Sequence, residues 1–233
     1  MAVSHLVLVL LLLWADVTVS MDLQKRIIGG RDCGPNDRLY HVKLNFTNGT
    51  HEALCGGSLI SNQWILTAAH CWIDGWSIHL PQSHQSTITE HKIYKNRSSI
   101  GQEDHDIMLL KLSQTVTNIT PVNLPNYGPA SQTLQCAEMD VVDCSTYKNS
   151  LKNSNNPDTI ELYKNMKYQH WFCGAATGVD TCPGDSGGGV VANNMIYGVI
   201  SFGNQRVCRR PAAFMDLCHP DYEKWITDNI SSE

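Results

Sequence analysis

Short apolar segments separated by turn-forming residues make up most of this chain. Strand-like runs lie at residues 39–44, 57–60, 107–112, 189–191 and 197–201, and turn residues separate them. Only the tail, residues 222–230, has apolar side chains at helical spacing. Residues 153–157, Asn-Ser-Asn-Asn-Pro, predict a surface loop. The pattern predicts an all-β protein with one C-terminal α-helix.

The first 20 residues differ from the rest of the chain. Residues 6–14 form an apolar core that is too short to span a bilayer, and the small-residue stretch 18–20 follows it. We interpret residues 1–20 as a signal peptide, which predicts a secreted, extracellular protein. Because no later apolar run reaches about 18 residues and the C-terminus is polar, we expect no membrane anchor.

Composition and charge fit a folded secreted protein. The 233 residues are 42% hydrophobic and 17% charged, which is enough apolar content for a sizeable core. The net charge of -5 argues against a nucleic-acid partner. Nine cysteines indicate an oxidising compartment. N-glycosylation sequons, which predict a glycoprotein, begin at Asn45, Asn48, Asn96, Asn118 and Asn229.

Three separate motifs contain residues suited to nucleophilic catalysis. Ser186 lies in Gly-Asp-Ser-Gly-Gly, residues 184–188, where glycines permit a tight turn that brings N–H groups close to a carbonyl. His70 ends the run Thr-Ala-Ala-His and suits a general base, and Asp106 directly precedes a buried strand and suits an orienting acid. Alone, each would be an ordinary structural residue. Together, in this order, they indicate a catalytic triad.

The three motifs resemble those of the chymotrypsin/trypsin family of serine endopeptidases, and the resemblance extends over residues 27–233. It implies two six-stranded antiparallel β-barrels with a C-terminal α-helix, His70 and Asp106 lying in the first half and Ser186 in the second. We expect the halves to divide near residues 121–132. The resemblance also implies an oxyanion hole formed by the N–H groups of Gly184 and Ser186.

Residues 21–26 look like a short activation peptide. In the resembled family, cleavage after the basic residue, here Arg26, frees the amine of the next residue, Ile27. That ammonium folds inward and pairs with the acid before the nucleophile, Asp185, since a buried ammonium is costly without a carboxylate. The chain is therefore expected to be a zymogen that another protease activates at Arg26-Ile27.

Cysteine pairing can be carried over only in part. The resemblance implies three disulfides: Cys55–Cys71, Cys182–Cys208 and Cys33–Cys144. For the remaining cysteines our guess is a Cys136–Cys218 bridge. Because nine is odd, one thiol stays free or bonds to another molecule.

Substrate preference is expected to depend on Asp180, six residues before Ser186. In trypsin-like family members a carboxylate at this position forms the bottom of the pocket and favours Arg or Lys, with Arg gaining a bidentate contact. The resemblance makes Ser201 and Gly203 part of the substrate-binding wall. Ala212 stands where the family usually has glycine, and its methyl group is expected to narrow the pocket.

The expected partners are protein or peptide substrates, an activating protease and protein protease inhibitors. No cofactor is expected, and no metal either, because the segment between His70 and Asp106 lacks an acid-rich calcium loop and the histidines show no metal-ligand spacing with cysteines. The alternative is a secreted pseudoprotease or binding protein whose cleft never becomes ordered or open. Covalent labelling of Ser186 separates the two.

Overall fold

The computed structural model describes residues 33, 37–80, 86–98, 101–125, 138–181, 184–203 and 211–231. Two antiparallel sheets, one from each half of the chain, form its framework. The prediction of an all-β fold with a C-terminal helix is confirmed. The segment that joins the sheets includes the expected boundary at 121–132, of which residues 126–132 lie outside the described part.

The first sheet has six strands in the order β4-β1-β2-β3-β6-β5. They are β1 His41–Thr47, β2 Glu52–Leu59, β3 Trp64–Thr67, β4 Ser77–His79, β5 Ile88–Ser98 and β6 Gly101–Leu112. All four residues of β3 are buried, and β6 buries residues 107–110. This pair of strands forms the centre of the first core. Its continuous apolar runs explain why the sequence predicted residues 107–112, the second half of β6.

The second sheet has five strands within the described residues, in the order β7-β8-β11-β10-β9. They are β7 Asp140–Val142, β8 Trp171–Ala175, β9 Gly189–Ala192, β10 Met195–Phe202 and β11 Ala212–Asp216. Asn193 and Asn194, with φ of 52° and 62°, form the tight turn between β9 and β10. Two positive φ angles are typical of a type I′ hairpin turn, in which asparagine is favoured.

The structure contains two helices that the hydrophobic pattern does not predict. They are α1 Ser145–Lys152 and α2 Pro157–Met166, in addition to the expected C-terminal helix α3 Pro220–Ile230. Restricting helix to the tail was therefore wrong. Asn156 caps α2 by accepting hydrogen bonds from Asp158 N and Thr159 N at 2.8 and 3.3 Å, so Asn156-Pro157 was a helix-start signal as well as a loop signal.

Polar composition conceals these helices. In α1 only Tyr147 and Leu151 are buried, four residues apart on one face. Such a short, sparse pattern does not stand out from loop sequence. Within the described ranges, no helix has the length and apolar content that crossing a membrane requires.

Two disulfides join described cysteines. Cys55 bonds to Cys71, the pair that the resemblance implies, and Cys144 bonds to Cys173. The predicted Cys33–Cys144 bridge is therefore wrong. Antiparallel pairing of β7 with β8 places Val142 opposite Cys173, which brings Cys144 close to Cys173. Strand register decided this pairing.

Two further cysteines, Cys33 and Cys218, lie in the described part of the chain. Cys33 is disulfide-bonded, and its partner lies outside the described residues. Cys218 is a free thiol, so the guess of a Cys136–Cys218 bridge is also wrong, while the expectation of an unpaired cysteine from the odd count agrees with it. The expected Cys182–Cys208 pair lies outside the described residues.

Candidate active site

His70 is held where the first sheet ends. Strand β3 stops at Thr67, Ala68 remains extended, and residues Ala69–Cys71 form a 3-10 turn. The Cys55–Cys71 disulfide ties this turn to β2. Because Cys71 directly follows His70, this disulfide restricts the backbone from which the imidazole projects.

The imidazole of His70 is paired with the carboxylate of Asp106. Nδ1 lies 3.0 Å from Oδ1 and 2.9 Å from Oδ2, and the backbone N–H of His70 donates to Oδ1 at 2.8 Å. Asp106 is 11% exposed at its side chain and His70 is 46% exposed. The carboxylate therefore fixes the ring from the protein side and leaves the other side of the ring open.

Two further side chains, from the second half of the chain, hold Asp106. The hydroxyl of Ser201 in β10 donates a short hydrogen bond to Asp106 Oδ2. The side-chain oxygen of Gln169, a buried residue, accepts the backbone N–H of Asp106 at 2.7 Å. Sequence reasoning gave Ser201 only a wall position and missed Gln169. No motif marked Gln169, because its partner is 63 residues away.

The pair shifts the pKa of His70. Burial is the largest influence and lowers the pKa, but the hydrogen bond to Asp106 and its negative charge together outweigh burial, so the pKa of His70 is raised above 6.5. The carboxylate thus stabilises an imidazolium. This is the electrostatic arrangement that a base needs when it takes up a proton during a reaction.

Ser186 lies in a turn built from glycines. Gly184 and Gly187 have φ of 103° and 81°, angles that residues with a Cβ rarely adopt. The turn is fixed to β10 by the hydrogen bond from Gly187 N to Ile200 O at 2.7 Å, and it closes on itself from Gly188 N to Asp185 O at 3.0 Å. The sequence predicted the tight turn, and the structure shows what holds it.

The same turn packs tightly against the first half of the chain. Gly56 N donates to Ser186 O at 2.7 Å, and Cys71 Sγ lies 3.8 Å from the same oxygen. A Cβ on Gly187 would overlap Thr67 Oγ1 and the carbonyl oxygen of Gly56. Ser186 is therefore anchored beside the turn that carries His70. No hydrogen bond joins Ser186 Oγ to His70 in the described part of the chain.

Asp180, the residue expected at the bottom of a pocket, is 4% exposed. Its Oδ1 accepts the backbone N–H of Thr181 at 2.8 Å. Gly203 lies beside the same segment, since a Cβ there would come within 3.3 Å of Thr181 Oγ1. Ala212 begins β11, is buried, and pairs with Gly174 of β8. Gly203, which directly follows β10, thus lies next to the residue after the buried Asp180.

Another group of aromatic and imidazole side chains lies behind Asp106. His105 is buried, and its Nδ1 is 2.6 Å from the hydroxyl of Tyr222 in α3. Burial, aided by the positive charge of His170, lowers the pKa of His105 to about 4. His105 is therefore neutral near pH 7. Of the three residues expected to take part in activation, Arg26 and Ile27 lie outside the described residues, whereas Asp185 is described and half-buried.

The chain is similar to known proteins over nearly its whole length. The chain is 33% identical to a trypsin of Xenopus laevis over 258 aligned positions, which cover 96% of this chain and 98% of the relative. It is 31% identical to Serine protease 1 of Rattus norvegicus, with 97% and 98% covered, and 29% identical to a trypsin of Sus scrofa, with 91% and 98% covered.

The family match has nearly the same extent. Residues 27–226 match the Trypsin family model, a range that begins at the isoleucine of the expected cleavage site and ends in α3. It includes His70, Asp106 and Ser186. Together with the full-length relatives, this match shows that the chain belongs to the trypsin family and is a serine endopeptidase.

Proposed function

We propose that the chain hydrolyses peptide bonds with Ser186 as nucleophile, His70 as general base and Asp106 as the residue that orients His70. The observation that carries the proposal is the contact of Nδ1 of His70 with both oxygens of Asp106, at 3.0 and 2.9 Å. That contact favours the tautomer in which Nδ1 holds the proton and Nε2 has a lone pair. A lone pair on Nε2 is what a base needs to accept the serine proton.

The reaction is an acyl transfer in two stages. Ser186 Oγ attacks the carbonyl carbon while its proton passes to His70 Nε2, which then protonates the leaving amine as the C–N bond breaks. Water, deprotonated by His70, attacks the acyl-enzyme ester and releases the acid and Ser186. Asp106 stays ionised throughout and stabilises the imidazolium.

We assign the oxyanion hole to the N–H groups of Gly184 and Ser186. Neither group donates to an acceptor within the described residues, whereas Gly187 N and Gly188 N are both occupied. Backbone donors left without an internal partner remain available to a developing oxyanion. The positive φ of Gly184 supports the turn that this requires.

Cleavage after Arg or Lys follows from Asp180. A buried carboxylate favours a basic side chain, and a guanidinium can bind it with two hydrogen bonds. The relatives from Xenopus laevis and Sus scrofa are trypsins by name. The buried methyl group of Ala212 narrows the same region and is proposed to reduce affinity for long basic side chains.

We also propose how the chain matures and which proteins bind it. The chain is proposed to be secreted and glycosylated after loss of residues 1–20, and to be a zymogen until an activating protease cuts Arg26-Ile27. The free amine of Ile27 would then pair with Asp185. Protein protease inhibitors would compete with substrates for the cleft.

Labelling with an organophosphonate tests the proposal. We expect a chain beginning at Ile27 to be labelled covalently at Ser186 and a chain beginning at Met21 to react far more slowly. Ser186→Ala is the matched control, which must show no labelling. Correctly cut protein that stays unlabelled would instead favour a pseudoprotease.

A peptide library tests the substrate preference separately. The activated enzyme should cleave after Arg and Lys, and Asp180→Ser should lose that preference by about 10²-fold or more, since a buried charge pair is removed. Ala212→Gly should increase kcat/KM for basic substrates, with Ala213→Gly as the neighbouring control. Cleavage mainly after apolar residues would contradict the assignment of Asp180.

A further inference from the structure

Three residues that no motif connects meet on the surface beside α3. His170 lies between α2 and β8, His219 caps the start of α3, and Asp221 is in its first turn. The two imidazole rings are stacked, with centroids 3.3 Å apart and planes within 4°. The carboxylate oxygen Asp221 Oδ2 lies 3.6 Å from His170 Nε2 and 3.8 Å from His219 Nδ1.

These separations are longer than those of a direct hydrogen bond and are compatible with a ligand shared by the three side chains. A charge-assisted hydrogen bond between nitrogen and carboxylate oxygen would be about 2.7–2.9 Å long. The nitrogen and oxygen atoms all lie within 4.8 Å of one another. Around a tetrahedral Zn²⁺, with bonds of about 2.0–2.1 Å, neighbouring ligand atoms are separated by roughly 3.4 Å. The distances from Asp221 Oδ2 to His170 Nε2 and His219 Nδ1, 3.6 and 3.8 Å, are therefore close to those between the ligand atoms of a zinc site.

We propose that His170, His219 and Asp221 bind a divalent transition-metal ion of the Zn²⁺ type. Two imidazoles and one carboxylate suit zinc, copper or nickel, whereas calcium and magnesium prefer oxygen ligands alone. The side chains are 30%, 31% and 48% exposed, so an ion can enter from solvent and keep water as a further ligand.

Binding needs only small local changes. Parallel stacked rings direct their lone pairs side by side, so at least one ring must turn about its Cα–Cβ bond to face a common ion. Partial exposure of both rings leaves room for this turn. His219 Nδ1 must also give up the backbone N–H of Asp221, a long hydrogen bond of 3.3 Å.

The site lies next to the residues that hold Asp106. The backbone N–H of His170 donates to Tyr222 Oη at 3.2 Å, and the same hydroxyl contacts His105 Nδ1 at 2.6 Å. Gln169, which accepts the N–H of Asp106, directly precedes His170. An ion that fixes His170 therefore also restrains the support of Asp106, although its binding does not depend on the proposed triad.

Calorimetric titration of the complete processed protein with ZnCl₂ tests the site. We expect one tightly bound ion, whose affinity falls at least tenfold in His170→Ala and in Asp221→Asn. His219→Asn should weaken binding similarly while keeping a helix-capping side chain. Circular dichroism and the thermal midpoint without metal show that each variant is folded, and Co²⁺ absorption reports the same ligands independently.

Two control variants test whether other zinc-binding side chains account for the affinity. His51→Ala removes an exposed histidine from the first sheet, and Cys218→Ser removes the free thiol next to His219. Both should bind zinc as the wild type does. Unchanged affinity in His170→Ala, loss of the ion in Cys218→Ser, or no binding by the wild type would each overturn the proposal.

Discussion

His70 and Ser186 reach the same region of the molecule by different means. The first half holds His70 through side chains, because Asp106, in the middle of β6, accepts its ring N–H. The second half holds Ser186 through its backbone, in a turn with two left-handed glycines pressed against Gly56. One arrangement depends on charge and hydrogen bonding, and the other depends on the absence of side-chain volume.

Because of this difference, substitutions in the two halves have different effects. A change at Asp106 alters the protonation of His70 and the acceptor of its backbone N–H. A change at Gly187 adds atoms where the two halves already touch, so it alters how the halves dock. The two halves are also joined by Ser201 and Gln169, which both contact Asp106.

The largest expected effect tests whether the halves act as one unit. We expect Ser186→Ala and His70→Ala each to lower kcat by about 10⁶-fold, and the double variant to be no worse than either single variant. The reason is that neither residue can act without the other. Steady-state kinetics of the activated enzyme measure this, and a further drop in the double variant would show that the two residues act independently.

The next effect separates crowding from backbone strain. Gly187 and Gly75 have nearly equal φ angles, 81° and 80°, but a Cβ on Gly75 would meet nothing within 4 Å. Gly75→Ala should cost about 1 kcal/mol of unfolding free energy. Gly187→Ala should cost about 3 kcal/mol or more and reduce kcat as well, because Thr67 and Gly56 cannot move away easily. Urea unfolding measures both, and equal losses would refute the packing argument.

His105, at the junction of the halves, should make stability fall in acid. The unfolded chain binds a proton near pH 6.5, whereas folded His105 binds it only near 4. The neutral residue therefore stabilises the fold fully above about pH 6.5, and that contribution, about 3 kcal/mol, is lost as pH falls toward 4. In His105→Gln the thermal midpoint should depend less on pH over this interval. His51→Gln is the exposed control, and an unchanged slope in His105→Gln would contradict the prediction.

The smallest effect concerns the pKa of His70 itself. It should lie above 6.5 in the wild type and below 6.5 in Asp106→Asn, because burial alone then remains. NMR titration of the ring protons measures both values. Because the folded pKa is raised, protonated His70 stabilises the fold below pH 6.5, and this contribution is lost as pH rises through the folded pKa. A pKa that stays above 6.5 in the variant would show that Asp106 is not its cause.

Parts of this protein can be predicted from local sequence, and parts cannot. The second half of β6 can be predicted because residues 107–110 are apolar and buried without interruption. The tight turn around Ser186 can be predicted because its glycines lie close together in the sequence. The helices α1 and α2 cannot be predicted from the hydrophobic pattern, because they bury few side chains. The cap at Asn156 was the available signal.

Contacts between distant residues follow a different rule. The bond of Cys144 to Cys173 depends on how β7 pairs with β8, and the contact of Gln169 with Asp106 crosses 63 residues. Neither contact is marked by a local sequence pattern, because other residues of the same type could equally be the partner. The same holds for His170 and His219, which come together only when α3 packs beside the start of β8.

The sequence by itself determined the family, the order of the candidate catalytic residues and the glycines that free the backbone around Ser186. These depend on residue type and short spacing, which the chain displays directly. The tertiary structure alone decided the second disulfide, the support of Asp106 by Ser201 and Gln169, and the grouping of His170, His219 and Asp221. These depend on strand register and on the docking of the two halves, which are set by the packing of the whole core.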